Sequence, residues 1–390
     1  MLRRKKPAAL AGPVLIIGTG VLGASIGLGL RALGVRTWVS DISPTTEAVA
    51  EDLRAGESVA RLRREVACEL GVEAASDQVR TAADERIDPQ LVVVATPPDV
   101  TAVTVLEALR RFPRARVVDI ASVKKEILDD VVAGAGSSIG RYVGTHPMAG
   151  RERSGPVAAR GELFTSRPWV ICEHEQVEEE TMRLAEGLAA DLGAVVSAAE
   201  AKEHDETVAL ISHLPQVMSS LLASRLRETP VDALDLAGQG LRDTTRIAAS
   251  SPGLWVQILS ANADAVVEAL YGVREDLNRL IGTLEAPEAD GARLKIAQLM
   301  TEGNEGVARI PGKHGGAPSA YAWLTVLVDD TPGQIAQLLT QIGQIGVNLE
   351  DLRMDHSPEQ PVGMVEMAVV PTAHELLVDQ LSERGWKIVR

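Results

Sequence analysis

Along the first 200 residues, short and nearly uninterrupted apolar runs alternate with longer stretches of helical character. Residues 14–17 (VLII), 91–95 (LVVVA), 117–120 (VVDI) and 142–145 (YVGT) are such runs, with a shorter one at 37–39 and two more at 169–172 and 194–197. A strand buried on both faces has no side turned to water, so it reads as a continuous apolar run. Strands spaced by helices specify an α/β fold built on a doubly wound parallel sheet, closing near residue 199. Ser43-Pro44 reads as a helix N-cap with proline at the first helical position. Residues 56–86 are charged and helix-prone and carry no sharper signal.

The pattern then turns helical. Residues 204–226 and 254–284 are rich in Ala and Leu, as two long helices that pack closely enough for a dimer core. His204 and His213 stand nine residues apart, which on a straight helix places them on opposite faces. Pro215 could bend that helix, but a site shared by both histidines is not expected. Between the helices, residues 238–255 read as a glycine-rich polar loop whose Arg242, Asp243 and Arg246 form either a surface ion pair or an arginine fork for a carboxylate. Residues 303–319 read as a linker of glycine, proline and charge. A nucleotide-binding P-loop nearly matches at 306–313 and fails, because five residues separate its glycines and His314 replaces the required hydroxyl. The tail, 320–390, reads strand–helix–strand–strand–helix–strand, the ferredoxin-like order.

The first strand runs into GTGVLG, with glycines at 18, 20 and 23, and a small-residue helix follows. Gly18 permits the tight turn, Gly20 lets backbone approach a pyrophosphate, and Gly23 lets helix and strand pack closely. The helix N-terminus offers amides and partial positive charge to the phosphates. Asp41 ends the second strand 18 residues past Gly23, near the offset of a carboxylate that binds the adenosine ribose. This is a Rossmann-type, dinucleotide-binding reading. Asp41 repels a 2′-phosphate, so NAD is expected over NADP, with Arg36 the one nearby cation that opposes this. Thr96, Ser122 and His146 end later strands and face the same crevice. His146 opens the stretch HPMAGRERSG, 146–155; an isolated histidine usually caps a turn, but this one stands where ligands of such sheets bind.

Composition adjusts the picture little. A formal charge of −15 argues against nucleic acid or anionic membrane as a partner. Aromatics are 3% of residues, so Ala, Val and Leu must fill the interior. The basic start, Arg3 to Lys6, leads into no signal-peptide-length apolar run and reads as a frayed tail. No run long enough to span a bilayer occurs. Cys68 and Cys172 show no metal or redox spacing, and no histidines stand at HxxxH spacing, so no metal site and a cytoplasmic enzyme with free thiols are expected.

HPMAGxExSG at 146–155, SHLP at 212–215 and the RDxTRIA run at 242–248 together are highly specific. Over residues 13–390 the chain resembles prephenate dehydrogenases of tyrosine biosynthesis that carry a C-terminal ACT domain. The resemblance implies an NAD-binding domain at 13–199, a helical substrate and dimerisation domain at 200–302, a linker at 303–319 and an ACT regulatory domain at 320–390. It implies oxidative decarboxylation of prephenate to 4-hydroxyphenylpyruvate by a homodimer. His146 matches the base that accepts the C4 hydroxyl proton, and Ser122 the serine that orients it beside the nicotinamide. His213 and Arg246 match binders of the substrate carboxylates, Glu152 an acidic gate, and Trp255 a residue brought from the partner subunit. In the ACT domain, Asp330 and Gly333 after its first strand, with Gly346 and Asn348 before its second, match contacts for an amino-acid effector, L-tyrosine. Two alternatives remain open. Glu152 could serve the ammonium of arogenate, and the chain could be a non-catalytic amino-acid sensor. A base of ordinary histidine pKa, about 6.5, would lose activity as pH falls through that value.

Overall fold

The computed structural model describes residues 8–149, 155–311, 321–356 and 362–389. Eight strands form one sheet: β1 (Val14–Ile17), β2 (Thr37–Ser40), β3 (Glu57–Ser58), β4 (Leu91–Val94), β5 (Arg116–Asp119), β6 (Tyr142–Pro147), β7 (Pro168–Cys172) and β8 (Val195–Ala199). Their order is β3-β2-β1-β4-β5-β6-β7-β8. The first six are parallel, and the reversal between β1 and β4 opens a crevice at their carboxyl ends. Helices α1 (Val21–Ala32), α2 (Pro44–Asp52), α3 (Val59–Leu70), α4 (Asp77–Ile87), α5 (Pro98–Arg111), α6 (Lys125–Ala135) and α7 (Glu179–Asp191) lie between the strands.

Successive strand residues feed two separate cores. Val14, Ile16, Val93 and Val118 join Ile26 and Leu30 of α1 and Leu184 and Leu188 of α7 on one face. Leu15, Val92, Val94 and Val117 join Val105 and Leu109 of α5 and Ile127 and Val131 of α6 on the other. With both faces covered, Leu91–Val94 is wholly buried, which is why these strands read as unbroken apolar runs. The expectation of a fully parallel sheet needs correction at its far edge. β7 runs antiparallel to β6, and β8 runs parallel to β7. A parallel neighbour needs a crossover, usually a helix. Between β6 and β7 the described residues hold only a 3₁₀ turn, Pro156–Ala158.

The helical region comprises α8 (Ala201–Val208), a π-helical turn (Ala209–His213), α9 (Leu214–Arg225), α10 (Val231–Leu234), α11 (Gln239–Thr245), α12 (Pro252–Ala261), α13 (Ala263–Leu284) and α14 (Ala292–Ala308). Three expectations change here. The single helix read over 254–284 breaks at Asn262, whose backbone turns out of the helical region (φ −120°, ψ 32°). The polar stretch at 238–255 is not a loop: it holds α11 and a 3₁₀ turn, Arg246–Ala249. The linker read from 303 begins later, because α14 runs on through Gly303 and Gly306 to Ala308. An interior glycine costs a helix about 1 kcal/mol, which its helix-forming neighbours evidently offset.

The chain divides into two compact units between Val273 and Arg274, inside α13. The second contains a four-stranded antiparallel sheet of β9 (Ala322–Asp329), β10 (Asp351–His356), β11 (Val362–Val369) and β12 (Lys387–Val389), with α15 (Gln334–Ile345) and α16 (Pro371–Glu383). The sheet order β10-β11-β9-β12 follows the βαββαβ pattern of the sequence. Leu324, Val326 and Val328 alternate onto one face and pack with Leu338, Ile342, Leu377 and Leu381. No helix among the described residues is long and apolar enough to cross a membrane.

That third core draws all its members from 324–388, so calorimetry should resolve a transition belonging to it. Leu377 is fully buried, and Leu377→Ala should lower that transition alone, by about 2–5 kcal/mol of unit stability. A uniform fall of the whole profile would show that the cores do not melt independently.

Candidate active site

The glycine loop follows β1 with the geometry its residues allow. Gly18 has φ +97°, and a Cβ there would lie 2.4 Å from the Ala95 carbonyl oxygen. A Cβ on Gly23 would lie 2.0 Å from the Gly18 oxygen, whereas one on Gly20 would meet nothing within 4 Å. Gly20 therefore borders open space, where backbone can approach a ligand. No side chain caps the start of α1, so its first amides are free to face phosphate. Asp41 holds this loop: its Oδ2 accepts from the Thr19 amide (2.7 Å) and hydroxyl (2.8 Å), and its Oδ1 from the Ser43 amide (2.9 Å). A carboxylate has about four acceptor positions, so one on Oδ1 remains for a ribose hydroxyl. Ile42, next in the chain, is fully exposed. Arg36 stands at the other end of β2, paired with Glu57 and lying over the Trp38 ring. These features fit a dinucleotide.

His146 sits at the carboxyl end of β6. Its Nδ1 is 2.8 Å from Nε2 of His204, and Nδ1 of His204 is 2.8 Å from Oδ1 of Asp205. The same carboxylate accepts the amides of Lys124 and Lys125, each at 2.8 Å, at the start of α6. The backbone oxygen of Asp205 accepts from Asn262 Nδ2 (2.8 Å), which also reaches His213 Nδ1 (3.2 Å). Because the Asp205 carbonyl can only accept, the Asn262 amide nitrogen must face it. His213 Nδ1 is then an acceptor, and its proton stands on Nε2.

His204 and His213 therefore share one network, contrary to the helical-wheel expectation. The π-turn between them is the reason. Nine residues of straight helix end about half a turn out of phase. One extra residue in a turn takes back about 100°, so both rings come to the same half of the helix. Both are 2% exposed. Pro215 marks the place in the sequence: it has no amide to donate to residue 211, and its ring crowds that carbonyl.

Under β6 lies a buried ion pair that the sequence reading missed. Lys124 Nζ binds Asp119 Oδ1 and the Thr145 oxygen (2.8 Å), and Asp119 Oδ2 accepts from the Tyr142 hydroxyl (2.8 Å). The side chains of Lys124 and Asp119 are 1% and 0% exposed. An aspartate inside an apolar strand was the available signal, since a buried charge requires a buried partner. The His146 ring is partly accessible, yet enough protein surrounds it to disfavour its charged form. That desolvation, then the neighbouring His204, Lys124 and His213, hold its pKa well below the usual histidine value. Burial likewise lowers His213, to about 4, with Asp205 opposing and His204 reinforcing the shift. Both rings are neutral at pH 7.

The other expected residues are placed as follows. His146 Nδ1 meets His204, while Ser122 is half-buried in the turn after β5. Thr96, after β4, shares a hydroxyl contact of 3.1 Å with Thr101. Trp255 meets His213 of its own chain edge-on, with ring centroids 5.9 Å apart, where the resemblance implied a reach to the partner subunit. Arg246 is exposed, at the start of a 3₁₀ turn. Glu152 lies outside the described residues. In the C-terminal unit, Gly333 (φ +95°) and Gly346 (φ +82°) bound α15, so their positive φ already accounts for glycine there. Asp330 is exposed nearby, and Asn348 donates to Glu350 (2.9 Å).

The loop gives a paired test. Gly20→Ala should leave the melting temperature unchanged and weaken NAD binding roughly tenfold or more, a loss of about 1.4 kcal/mol. Gly23→Ala should instead cost about 1–3 kcal/mol of stability through overpacking. Thermal denaturation and NAD titration of both variants check this; a Gly20→Ala protein binding NAD normally would place the pyrophosphate elsewhere.

Residues 30–198 match the family described as "Prephenate dehydrogenase, nucleotide-binding domain", and residues 200–302 match "Prephenate dehydrogenase, dimerization domain". The chain is 32% identical over 379 residues to "Probable prephenate dehydrogenase NovF" of Streptomyces niveus, covering 95% of this chain and 98% of that one. It is 25% identical to the prephenate dehydrogenase of Bacillus subtilis, covering 91% of each. Among solved structures, prephenate dehydrogenase from Aquifex aeolicus in complex with hydroxyphenyl propionate and NAD+ is similar, with TM-score 0.63 and 25% identity over 76% of this chain and 98% of that one. Two adjoining family domains and a relative matched over nearly its whole length leave one conclusion: this chain belongs to the prephenate dehydrogenase family.

Proposed function

We propose that the chain is an NAD-dependent prephenate dehydrogenase that forms 4-hydroxyphenylpyruvate and CO2. The observation that carries this reading is a neutral histidine, His146, at the carboxyl edge of the sheet whose first βα turn is built for a dinucleotide. NAD, when bound, accepts hydride from C4 of the substrate. Asp41 contributes its one remaining acceptor position to the ribose and its charge against a 2′-phosphate. Exposed Ile42 offers the adenine an apolar face. Arg36, engaged with Glu57 at the opposite end of β2, does not offset Asp41, so NAD is preferred over NADP.

His146 takes the C4 hydroxyl proton as positive character grows on that carbon. The electrons of the bond to the leaving carboxylate then complete the aromatic ring, and the proton returns to the phenolic oxygen. Ser122 and Thr96 border the same crevice from neighbouring strand ends. Prephenate is a dianion. His213, neutral with its proton on Nε2, serves one carboxylate as a hydrogen-bond donor, so the countercharge falls to Arg246. Arogenate replaces the side-chain ketone with an ammonium that Glu152 could meet; comparing kcat/KM for the two substrates decides between them. The intact network around His146 favours an enzyme over a non-catalytic sensor. The family's dimerisation domain and the exposed Leu210, Ile211, Leu221 and Leu222 support a homodimer. The βαββαβ unit supports the reading of an ACT domain that binds L-tyrosine near Asp330, Gly333, Gly346 and Asn348.

His146→Asn should retain NAD binding and lose kcat by roughly 10²-fold or more. In the wild-type enzyme kcat/KM for prephenate should stay flat from pH 8 down through 6.5, because a base with lowered pKa remains unprotonated there in the free enzyme; its acid limb should fall well below 6.5. Stability follows the same sign. The unfolded rings bind protons near pH 6.5 that the folded ones refuse, so stability is full above that pH and declines as pH falls toward about 4, where His213 protonates. A kinetic acid limb centred at 6.5 would show His146 in an ordinary environment.

Removing residues 320–390 should abolish inhibition by L-tyrosine and leave prephenate turnover within about threefold, since the first unit has its own cores. Equal tyrosine inhibition of full-length and truncated enzyme would assign the effector to the active site.

A further inference from the structure

The site leaves a question that its distances answer: which nitrogen of His146 carries the proton. An ionised Asp205 only accepts, so the 2.8 Å contact puts the proton of His204 on Nδ1. In a neutral His204 ring Nε2 is then a lone pair, and the 2.8 Å contact to His146 requires the proton of His146 on Nδ1. The remaining nitrogen, Nε2, is left bare. We infer that Asp205 and His204 are positioning residues that fix the tautomer of His146, so that Nε2 is the nitrogen that receives the substrate proton. This rests on the reading of His146 as the base.

The relay is anchored at its far end. Asp205 is 5% exposed and held by the amides of Lys124 and Lys125, so its carboxylate has a fixed direction. His204, 2% exposed and edge-on to His146 (71° between rings), cannot turn away into water. When His146 accepts a proton, its Nδ1–H still points at His204 Nε2, and the new charge faces Asp205 through one neutral ring. The other titratable or charged groups around His146 are Lys124, from the turn after β5, and His213, from the π-turn. Neither hydrogen-bonds the His146 ring among the described residues, so neither sets its tautomer.

The test uses the full-length protein and two readouts. Nitrogen-15 spectra of histidine-labelled enzyme should show a proton-bearing Nδ1 and a pyridine-type Nε2 for His146. Asp205→Ala should blur this, because His204 then has no acceptor to hold its proton on Nδ1 and the His146 proton is shared between its two nitrogens. His204→Leu, which removes the acceptor, should lower kcat roughly 10- to 10²-fold with KM for NAD unchanged. His204→Gln, whose amide oxygen can accept from Nδ1, should recover most of the loss, which a merely structural role would not predict. If Asp205→Ala fails to fold, the two His204 variants and the wild-type spectrum carry the test. A wild-type proton on His146 Nε2, or His204→Leu turning over within twofold of wild type, would overturn the inference. Should the enzyme oxidise neither prephenate nor arogenate, the functional reading fails, and the spectra still decide the tautomer.

Discussion

The carboxylate of Asp205 is the point on which the histidine network depends. It joins the helical region to the sheet by accepting the amides that open α6, and it holds His204 with an oxygen already so engaged. Hydrogen bonds to a charged acceptor contribute about 1.5–3 kcal/mol each. Several on one buried group leave it no alternative arrangement. From that fixed carboxylate follow the direction of His204, and then of His146. The backbone oxygen of the same residue directs Asn262 and hence His213.

Much of this architecture was legible in the sequence, and the reason is burial. Strands β1, β4, β5 and β6 are covered on both faces, so their apolar runs could hardly be anything else. The glycines at 18 and 23 stand out because close backbone approach admits few residue types. What escaped was whatever departs from ideal periodicity. His204 was set aside because a helical wheel assumes one residue per 100°, and the π-turn breaks that assumption. Asn262 was invisible inside a long apolar helix pattern, although the break it makes turns its amide inward. The direction of β7 could not be read from its own residues, since a short apolar run carries no polarity; the connection before it decides.

The Lys124–Asp119 pair shows a different limit. Burying two charges rarely increases stability over an apolar pair, and removing one partner costs about 3–5 kcal/mol. Its value here is geometric: Lys124 binds the Thr145 carbonyl, one residue before His146, while Tyr142 and Thr145 bind Asp119 from the same strand. The end of β6 is thereby pinned from below, and a positive charge stands near His146 that favours its neutral form.

The π-turn also has a consequence outside the active site. Ala209 and His213 in that turn are buried, while Leu210 and Ile211 between them are about 60% exposed, and Met218, Leu221 and Leu222 follow outward on α9. One inserted residue thus sets the rotational phase of two surfaces at once, the inner one that carries His213 and the outer apolar one. Neither can be re-indexed without the other. A chain that lacked that residue would turn His213 outward and swing the apolar stripe round in the same step, so the buried ring and the exposed stripe stand or fall together.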